Sequence, residues 1–150
     1  MGRLPPLAAV CLAGILAGAP VAGWGASFKS VGASKVNLRS GPGTSYPRVY
    51  VVNGGYPVKV VDRDNNWLKV KDYEGDAAWV AERLLSDERT LLVIRDLVSV
   101  RKGPSTEEPV AFQAERHVLL QYLGRKGSWI HVRHADGAEG WVYAPLVWGD

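Results

Sequence analysis

The sequence contains two copies of one residue pattern, separated by a constant offset of 62 residues. Asn37-Leu-Arg-Ser-Gly-Pro42 in the first copy corresponds to Ser99-Val-Arg-Lys-Gly-Pro104 in the second. A constant offset over scattered positions indicates that one small folding unit has been duplicated. Function is therefore expected in a paired module rather than in a single mixed domain. Further pairs at the same offset are Pro47 and Pro109, Trp67 and Trp129, Val70 and Val132, Gly75 and Gly137, Trp79-Val80 and Trp141-Val142, and Leu84 and Leu146.

The segment before the first copy, residues 1–25, is predicted to be a secretory signal peptide. Arg3 supplies a positive charge, Leu7 to Ala17 is an uncharged apolar run, and small residues follow Pro20. The run is shorter than the roughly 20 apolar residues that a membrane-spanning helix needs. A positive start, a short apolar centre and a small-residue end are typical of a signal peptide, with cleavage expected at Val21-Ala22-Gly23 or a few residues later. The protein is therefore expected to be periplasmic or secreted, with no stable membrane span after signal removal.

Composition argues against nucleic acid as a partner and against disulfide bonds. The chain has 18 lysine and arginine residues, one of them Arg3, against 15 aspartate and glutamate residues, and the two signs are interspersed. Nucleic-acid-binding proteins usually carry a clustered basic face. The single cysteine, Cys11, lies in the predicted signal peptide. A domain of 60 residues buries only about 60% of its unfolded surface, so the two repeats are expected to pack against each other.

Each copy has the pattern of short strands joined by turns rich in glycine and proline. Lys35 to Arg39 alternates apolar and polar residues with a period of two, as a half-buried strand does. A long loop follows, from Ser40 to Pro47. Several short strands with such turns favour a small antiparallel barrel. Further strands are predicted at 49–52, 56–61, 67–71 and 77–80, with a polar turn at 62–66 and a helical turn at 82–85, and in the second copy at 97–101, 118–123, 128–132 and 140–142.

The predicted fold is therefore all-β, with two tandem small antiparallel barrels after the signal peptide. The first domain is placed at residues 26–86 and the second at residues 91–150. The joint from Ser86 to Thr90 is too short for a loose tether, so the two domains are expected to hold fixed positions.

One run of residues also points to a known family. The first copy reads Val36-Asn-Leu-Arg-Ser-Gly-Pro-Gly-Thr-Ser-Tyr-Pro47, followed by an Asn-Trp-x-x-Val strand, a Trp-Val pair and a final leucine. This pattern resembles the bacterial SH3 (Src homology 3) domain, and the second copy departs from it with Ser99 in place of asparagine. The resemblance implies two SH3-like barrels in an exported protein. It also implies binding to cell-wall peptides or other partners outside the cytoplasm, although a fold alone does not determine activity.

The residues do not assemble into a catalytic or metal site, so an enzyme is not expected and neither a cofactor nor a metal is predicted. A hydroxyl nucleophile needs a base held beside it. The histidines at 117, 131 and 134 occur only in the second copy, and His131 alternates with apolar neighbours that turn it away from the core. Structural zinc usually takes four ligands of the Cys and His type. Asp62 and Asp64 are interpreted as turn residues.

Aromatic side chains are the stronger candidates for function. Five of the six tryptophans follow the signal peptide, and exposed rings beside a Gly-Pro loop form grooves that hold peptides or sugars. The tryptophans alternatively close the barrel core, since large rings are highly buried on average. Arg39 and Arg101 are expected to bind a carboxylate, either of their own fold or of a ligand. The predicted ligand-binding residues are Tyr46, Tyr50, Trp67, Trp79, Trp129 and Trp141.

These features support two hypotheses about function, a module that binds the cell wall and an adaptor that binds another protein. The first is an exported, non-enzymatic binding module that recognises peptidoglycan or its stem peptides, based on the exported double barrel and its surplus of aromatic residues. The second is a periplasmic adaptor that binds another envelope protein through its barrels, which an apolar patch shared by both repeats would favour. A small enzyme is a third hypothesis, and activity that survives replacement of all three histidines would support it.

Overall fold

The computed structural model describes residues 27–150, and these residues form two separate seven-stranded antiparallel sheets, one for each repeat. The all-β fold class and the tandem arrangement are confirmed. The predicted signal peptide, residues 1–25, lies outside the described residues. Within residues 27–150 no helix has the length and apolar character needed to cross a membrane.

The first repeat contributes strands β1 to β7, which pair in the order β3-β2-β6-β5-β4-β1-β7. A 3-10 turn at Glu82–Leu84 joins β6 to β7, where the helical turn was predicted. The strands are β1 (Phe28–Val31), β2 (Lys35–Arg39), β3 (Arg48–Asn53), β4 (Pro57–Asp64), β5 (Trp67–Lys71), β6 (Ala77–Ala81) and β7 (Leu85–Ser86).

The second repeat reproduces this topology, with the order β10-β9-β13-β12-β11-β8-β14. Its 3-10 turn, Ala144–Leu146, occupies the position equivalent to that of the first repeat. The strands are β8 (Thr90–Val93), β9 (Leu97–Arg101), β10 (Val110–Glu115), β11 (Leu119–Lys126), β12 (Trp129–Arg133), β13 (Glu139–Tyr143) and β14 (Val147–Trp148). The duplication seen in the sequence is therefore a duplication of the whole strand order.

Each sheet curls around one hydrophobic core. Successive side chains of a strand point to opposite faces, so Leu68 and Val70 of β5 are buried while Trp67 on the same strand faces outward. Val52 of β3 and Leu85 of β7 pack against the same cluster although they belong to opposite ends of the sheet order. The first core contains Val31, Val36, Leu38, Val58, Leu68, Val70, Ala78 and Val80. The second contains Leu91, Val93, Val98, Val100, Ala114, Leu120, Ile130, Val132, Val142 and Val147.

The structure differs from the strand prediction in two respects. The polar turn predicted at 62–66 is present only at Asn65 and Asn66, because Asp62 to Asp64 still pair with β5 after a bulge between Val60 and Asp62. A bulge places one extra residue on one strand, and the pairing then continues along exposed polar residues. Strands β1, β7, β8, β10 and β14 were not predicted, and all of them except β10 pair only with each other or with β4 or β11.

The two repeats pack against each other, as expected for such small units. The joint between them is only residues 87–89, because β8 already begins at Thr90. Leu92 of β8 is 2% exposed yet belongs to neither core, which places it at the junction. Several contacts cross the junction. Among them, Thr90 Oγ1 donates to the Gly55 carbonyl at 2.6 Å, the Tyr73 hydroxyl lies 2.9 Å from His117 Nε2, and the Phe28 ring meets the Trp148 ring edge-on at 5.2 Å.

Arg89 in the joint contacts both repeats. Its guanidinium carbon lies 4.8 Å from the centre of the Tyr122 ring and 5.9 Å from that of Phe28. Its Nη2 also donates to the Gly149 carbonyl at 3.1 Å. A guanidinium within about 6 Å of an aromatic face is attracted by the ring quadrupole. The joint is therefore held by direct contacts rather than by chain connectivity alone.

Candidate functional site

A pocket of about 210 Å³ opens in the first repeat and combines three kinds of side chain. Aliphatic residues of β2 to β6 form its floor, two tyrosines line its side, and three carboxylates stand at its mouth. Binding sites of this kind are mostly apolar with a few placed polar groups, and this volume is below the 300–1,000 Å³ range of drug-sized sites. We call it the acidic pocket, defined by Tyr50, Tyr56, Asp72, Glu74 and Asp76.

The three carboxylates come from a single turn between β5 and β6, and the turn is held by hydrogen bonds. Asp72 Oδ1 accepts the backbone N–H groups of Glu74 and Asp76, both at 2.9 Å. The Asp72 N–H donates to the Asp76 carbonyl at 3.0 Å. Aspartate commonly stabilises turns by accepting bonds from the backbone two residues on. As a result, one carboxylate oxygen from each of the three residues lies within 4.8 Å of the others, a spacing that suits a single cation.

These carboxylates also raise the pKa values of Tyr50 and Tyr56. The negative charge of Asp76 is the largest cause that raises the pKa of Tyr50 above its ordinary value, followed by burial. Burial raises the pKa of Tyr56 to about 12, and the charge of Asp72 adds to the effect. Both side chains are therefore neutral hydroxyl groups at pH 7, able to donate and to accept a hydrogen bond. The pocket presents negative potential beside two polar aromatic rings.

The equivalent positions of the second repeat do not form this site. Phe112 and Val118 pack against the second core, and the Phe112 ring lies 6.1 Å from the His134 ring. The one carboxylate that remains, Asp136, lies 3.1 Å from His134 Nδ1. The acidic pocket is thus a property of the first repeat. The replacements are Phe112 for Tyr50, Val118 for Tyr56, His134 for Asp72, Asp136 for Glu74 and Ala138 for Asp76.

Of the two predicted loop tyrosines, only Tyr50 lines the acidic pocket. Tyr46 folds back on its own loop, where its ring would lie 2.4 Å from a Cβ added at Gly41. Arg39 Nη1 donates to the carbonyls of Tyr46 at 2.9 Å and Thr44 at 3.2 Å. Arg101 in the second repeat donates to a loop carbonyl in the same way. The two arginines therefore bind internal partners, and these are carbonyl groups instead of the predicted carboxylates.

The four predicted tryptophans lie on the outer faces of the two sheets. They are half-buried and belong to neither hydrophobic core, so the interpretation as core residues is wrong. Trp141 stacks on His131 with ring centres 4.9 Å apart, and Trp129 lies 5.5 Å from the Tyr143 ring. The structure does not bring Trp67, Trp79, Trp129 and Trp141 together in one site with Tyr46 and Tyr50.

Trp67 lines a separate depression of about 450 Å³ together with Glu82 and Arg83. This depression is larger than the acidic pocket, but its carboxylate is already neutralised. Arg63 donates two hydrogen bonds to Glu82, at 2.8 and 2.7 Å. By contrast, Asp72, Glu74 and Asp76 take part in none of the ion pairs formed within residues 27–150. The acidic pocket is therefore the stronger candidate.

Tyr56 and the three carboxylates of the acidic pocket were not among the predicted site residues. A signal was present in the aligned turns, which read Asp-Tyr-Glu-Gly-Asp in the first copy and His-Ala-Asp-Gly-Ala in the second. Residues that the two copies share reveal the duplication, and four of the six predicted site residues are tryptophans shared in this way. The pocket depends on residues that differ between the copies.

Comparison with known proteins gives matches to both repeats. Residues 34–86 match a family described as bacterial SH3 domain, and residues 95–149 match a second family of the same description. The putative N-acetylmuramoyl-L-alanine amidase YrvJ of Bacillus subtilis is 28% identical over 125 residues, which cover 71% of this chain and 24% of that protein. The probable cell wall amidase LytH of Staphylococcus epidermidis is 38% identical over 45 residues, which cover 29% of this chain and 16% of that protein.

The chain therefore spans a quarter or less of the length of these two relatives. Among solved structures, NlpC2 from Trichomonas vaginalis has a TM-score of 0.39 and 11% sequence identity to this chain. That similarity covers 83% of this chain and 48% of the other.

Proposed function

Because the chain belongs to the bacterial SH3 domain family, with two such domains in tandem, we propose that it is an exported, non-enzymatic module that binds peptidoglycan or its stem peptides. Its place of action is the periplasm or the cell exterior. The partial matches to two proteins named as cell-wall amidases support a role at the wall. Only the binding role is carried over, since the matched segment is a quarter or less of each amidase.

The acidic pocket is the observation that carries this proposal. Its aliphatic floor receives the methylene groups of a side chain, and its tyrosine hydroxyls offer hydrogen bonds to peptide groups. Val51 on the rim is 60% exposed and extends the apolar surface beyond the pocket. A volume of about 210 Å³ suits one side chain of a peptide.

Sedimentation with purified sacculi tests the proposal. The wild-type protein is expected to sediment with the wall, and Tyr50→Ser is expected to weaken binding by about tenfold or more because the pocket loses a wall. Tyr143→Ser is the matched control, since Tyr50 and Tyr143 are both 43% exposed but Tyr143 lies on the second repeat. Wild-type protein that stays wholly in the supernatant at low salt would contradict the proposal.

A periplasmic adaptor that binds another envelope protein is the second candidate function. Strand β3 lies at the end of its sheet order and exposes Val49, Tyr50 and Val51 in succession. An edge strand with exposed apolar side chains favours pairing with a strand of another protein. Cross-linking in cells that captures one envelope protein, and not the wall, would favour this function over the first.

A further inference from the structure

The acidic pocket continues beyond the first repeat into a groove of about 410 Å³ at the junction. Val51, Val52, Tyr56 and Glu74 line both the pocket and this groove. On its far side the groove is lined by residues of the second repeat, Leu92, His117 and Leu119. We call this second region the junction groove. Because the two regions share these four residues, they lie next to each other on the surface.

The character of the surface changes along this path. The pocket end carries the three carboxylates of the turn at 72–76, whereas the junction groove combines the apolar Val51 and Leu119 with the polar Asn53, Tyr73 and His117. The hydrogen bond between the Tyr73 hydroxyl and His117 Nε2, at 2.9 Å, holds the two repeats together beside the groove. A ligand that occupies both regions therefore needs a positive charge at the pocket end and both apolar and hydrogen-bonding groups along the groove.

The pocket end indicates which cation fits. Asp72, Glu74 and Asp76 form no ion pair within residues 27–150, so three negative charges that no lysine or arginine neutralises lie together at this end. A primary ammonium presents three N–H donors, one for each of Asp72, Glu74 and Asp76. The aliphatic floor and the rings of Tyr50 and Tyr56 suit a short methylene chain behind the charge.

We propose that the acidic pocket and the junction groove form one composite site for an extended peptide that carries a primary ammonium on a short aliphatic chain. The ammonium lies among the three carboxylates, and the ligand backbone runs past Val51 toward Leu119. The two repeats thus bind one ligand together rather than one ligand each. That the ligand is a peptide rests on the proposed function above, and the composite site and the ammonium are new to it.

NMR titration of the intact two-repeat protein tests the charge requirement. The probe is the capped tripeptide acetyl-Ala-Lys-Ala-amide, and its Nε-acetylated form is the matched uncharged ligand. The lysine peptide is expected to shift the amide signals of Gly75, beside the pocket, and Leu119, in the groove, with one dissociation constant. Acetylation is expected to weaken binding by about tenfold or more, as the loss of a charged contact does. Equal binding of both peptides, or shifts at only one of the two amides, would overturn the proposal.

Variants of the turn at 72–76 distinguish binding in the acidic pocket from a non-specific attraction between opposite charges. Glu74→Gln with Asp76→Asn is expected to weaken the lysine peptide by about tenfold or more, while leaving the Asp72 carboxylate free to hold the turn. Asp136→Asn in the equivalent turn of the second repeat is the control and is expected to leave binding unchanged. Calcium is an alternative occupant of three carboxylates. Calcium that binds the wild-type pocket when the lysine peptide does not would overturn the ammonium assignment.

The same variants distinguish this inference from the proposed function. If the tripeptide binds the pocket but the protein does not bind sacculi, the composite site is supported and the wall-binding function is wrong. If sacculus binding persists in the Glu74→Gln and Asp76→Asn protein, wall binding is supported and the composite site is wrong.

Discussion

At the scale of single residues, the two copies preserve backbone conformations more strictly than residue types. Gly55 has a φ of +87°, and His117 at the equivalent position of the second repeat has a φ of +73°. A left-handed backbone is unfavourable for a residue with a Cβ and is readily adopted by glycine. His117 therefore bears strain that Gly55 does not, and the same histidine bonds Tyr73 across the junction. The left-handed backbone at this position belongs to the turn, whereas the imidazole of His117 contributes to the contact between the two repeats.

Substitution of Gly137 measures how much free energy a left-handed backbone costs when the residue carries a Cβ. Its φ is +95°, and a Cβ added there would meet nothing within 4 Å, so a substitution changes backbone strain and not packing. Gly137→Ala is expected to lower the free energy of unfolding by about 1–2 kcal/mol, measured by urea denaturation. Gly124→Ala is the control, because its surroundings are equally open and its φ lies outside the left-handed region. Equal losses in the two variants would contradict the explanation.

Tyr56 provides a pH-dependent prediction. Its pKa is raised to about 12, chiefly by burial, so the folded state favours the neutral hydroxyl. This contribution to stability is complete below the unfolded tyrosine pKa of about 10 and is lost as the pH rises toward 12. The free energy of unfolding is expected to fall over this interval, and Tyr56→Phe is expected to show a smaller fall. Urea denaturation across the interval measures both.

At the scale of elements, the long loop after β2 and its equivalent after β9 are held by the same device. An arginine at the end of the strand reaches back to carbonyl groups of the loop, and a side chain from the end of the loop covers a glycine. That covering side chain is the Tyr46 ring in the first repeat and Glu108 in the second. In the first repeat, Arg39 and Tyr46 therefore make their contacts within the loop itself and are not available to a ligand.

The number of bonds that each arginine makes predicts an asymmetry between these loops. Arg39 bonds two carbonyls and Arg101 bonds one. Hydrogen bonds from a charged donor each contribute about 1.5–3 kcal/mol when sheltered, and both arginines are half-exposed, so Arg39→Met is expected to cost about 1–3 kcal/mol. Arg101→Met is expected to cost less. Urea denaturation of the two variants compares them, and an equal or larger loss at Arg101 would contradict this account.

At the scale of the whole molecule, the junction makes the two repeats interdependent. Leu91 and Leu92 are adjacent on β8 and are 0% and 2% exposed, but only Leu91 belongs to the second core. The alternation of a strand thus places one leucine in the core and the other at the junction. Each repeat is small enough that its own core leaves little margin of stability, so contact with the other repeat matters.

Alanine substitution at these two positions separates core stability from coupling. Wild-type protein is expected to unfold in one calorimetric transition, as coupled small domains do. Leu91→Ala is expected to lower the stability of the second repeat by about 2–5 kcal/mol. Leu92→Ala is expected to weaken the junction and to split the thermal unfolding into two transitions. Two transitions already present in the wild-type protein would show that the repeats are not coupled.

The sequence alone determined the duplicated unit, the all-β class and the strands with a clear alternation, such as Lys35–Arg39 and Trp67–Lys71. These features are local, because a period of two and a turn signal are complete within a few residues. It also identified Tyr50 as a candidate, because the position of an aromatic residue just after a long Gly-Pro loop can be read directly from the sequence. Arg39 and Arg101 were recognised as a repeated pair, but their carbonyl partners were not.

Only the tertiary structure decided where the short strands pair and which side chains converge. Ser30 pairs with Ser86, and Val93 pairs with Val147, so each pair joins the two ends of a repeat. Neither segment of such a pair has a sequence pattern that identifies its distant partner. The acidic pocket draws on five strands and two turns, and the junction groove draws on both repeats. Such convergence depends on how the sheets curl and pack in three dimensions. A periodic pattern records which face of a strand is buried, but it does not record which distant side chains meet there.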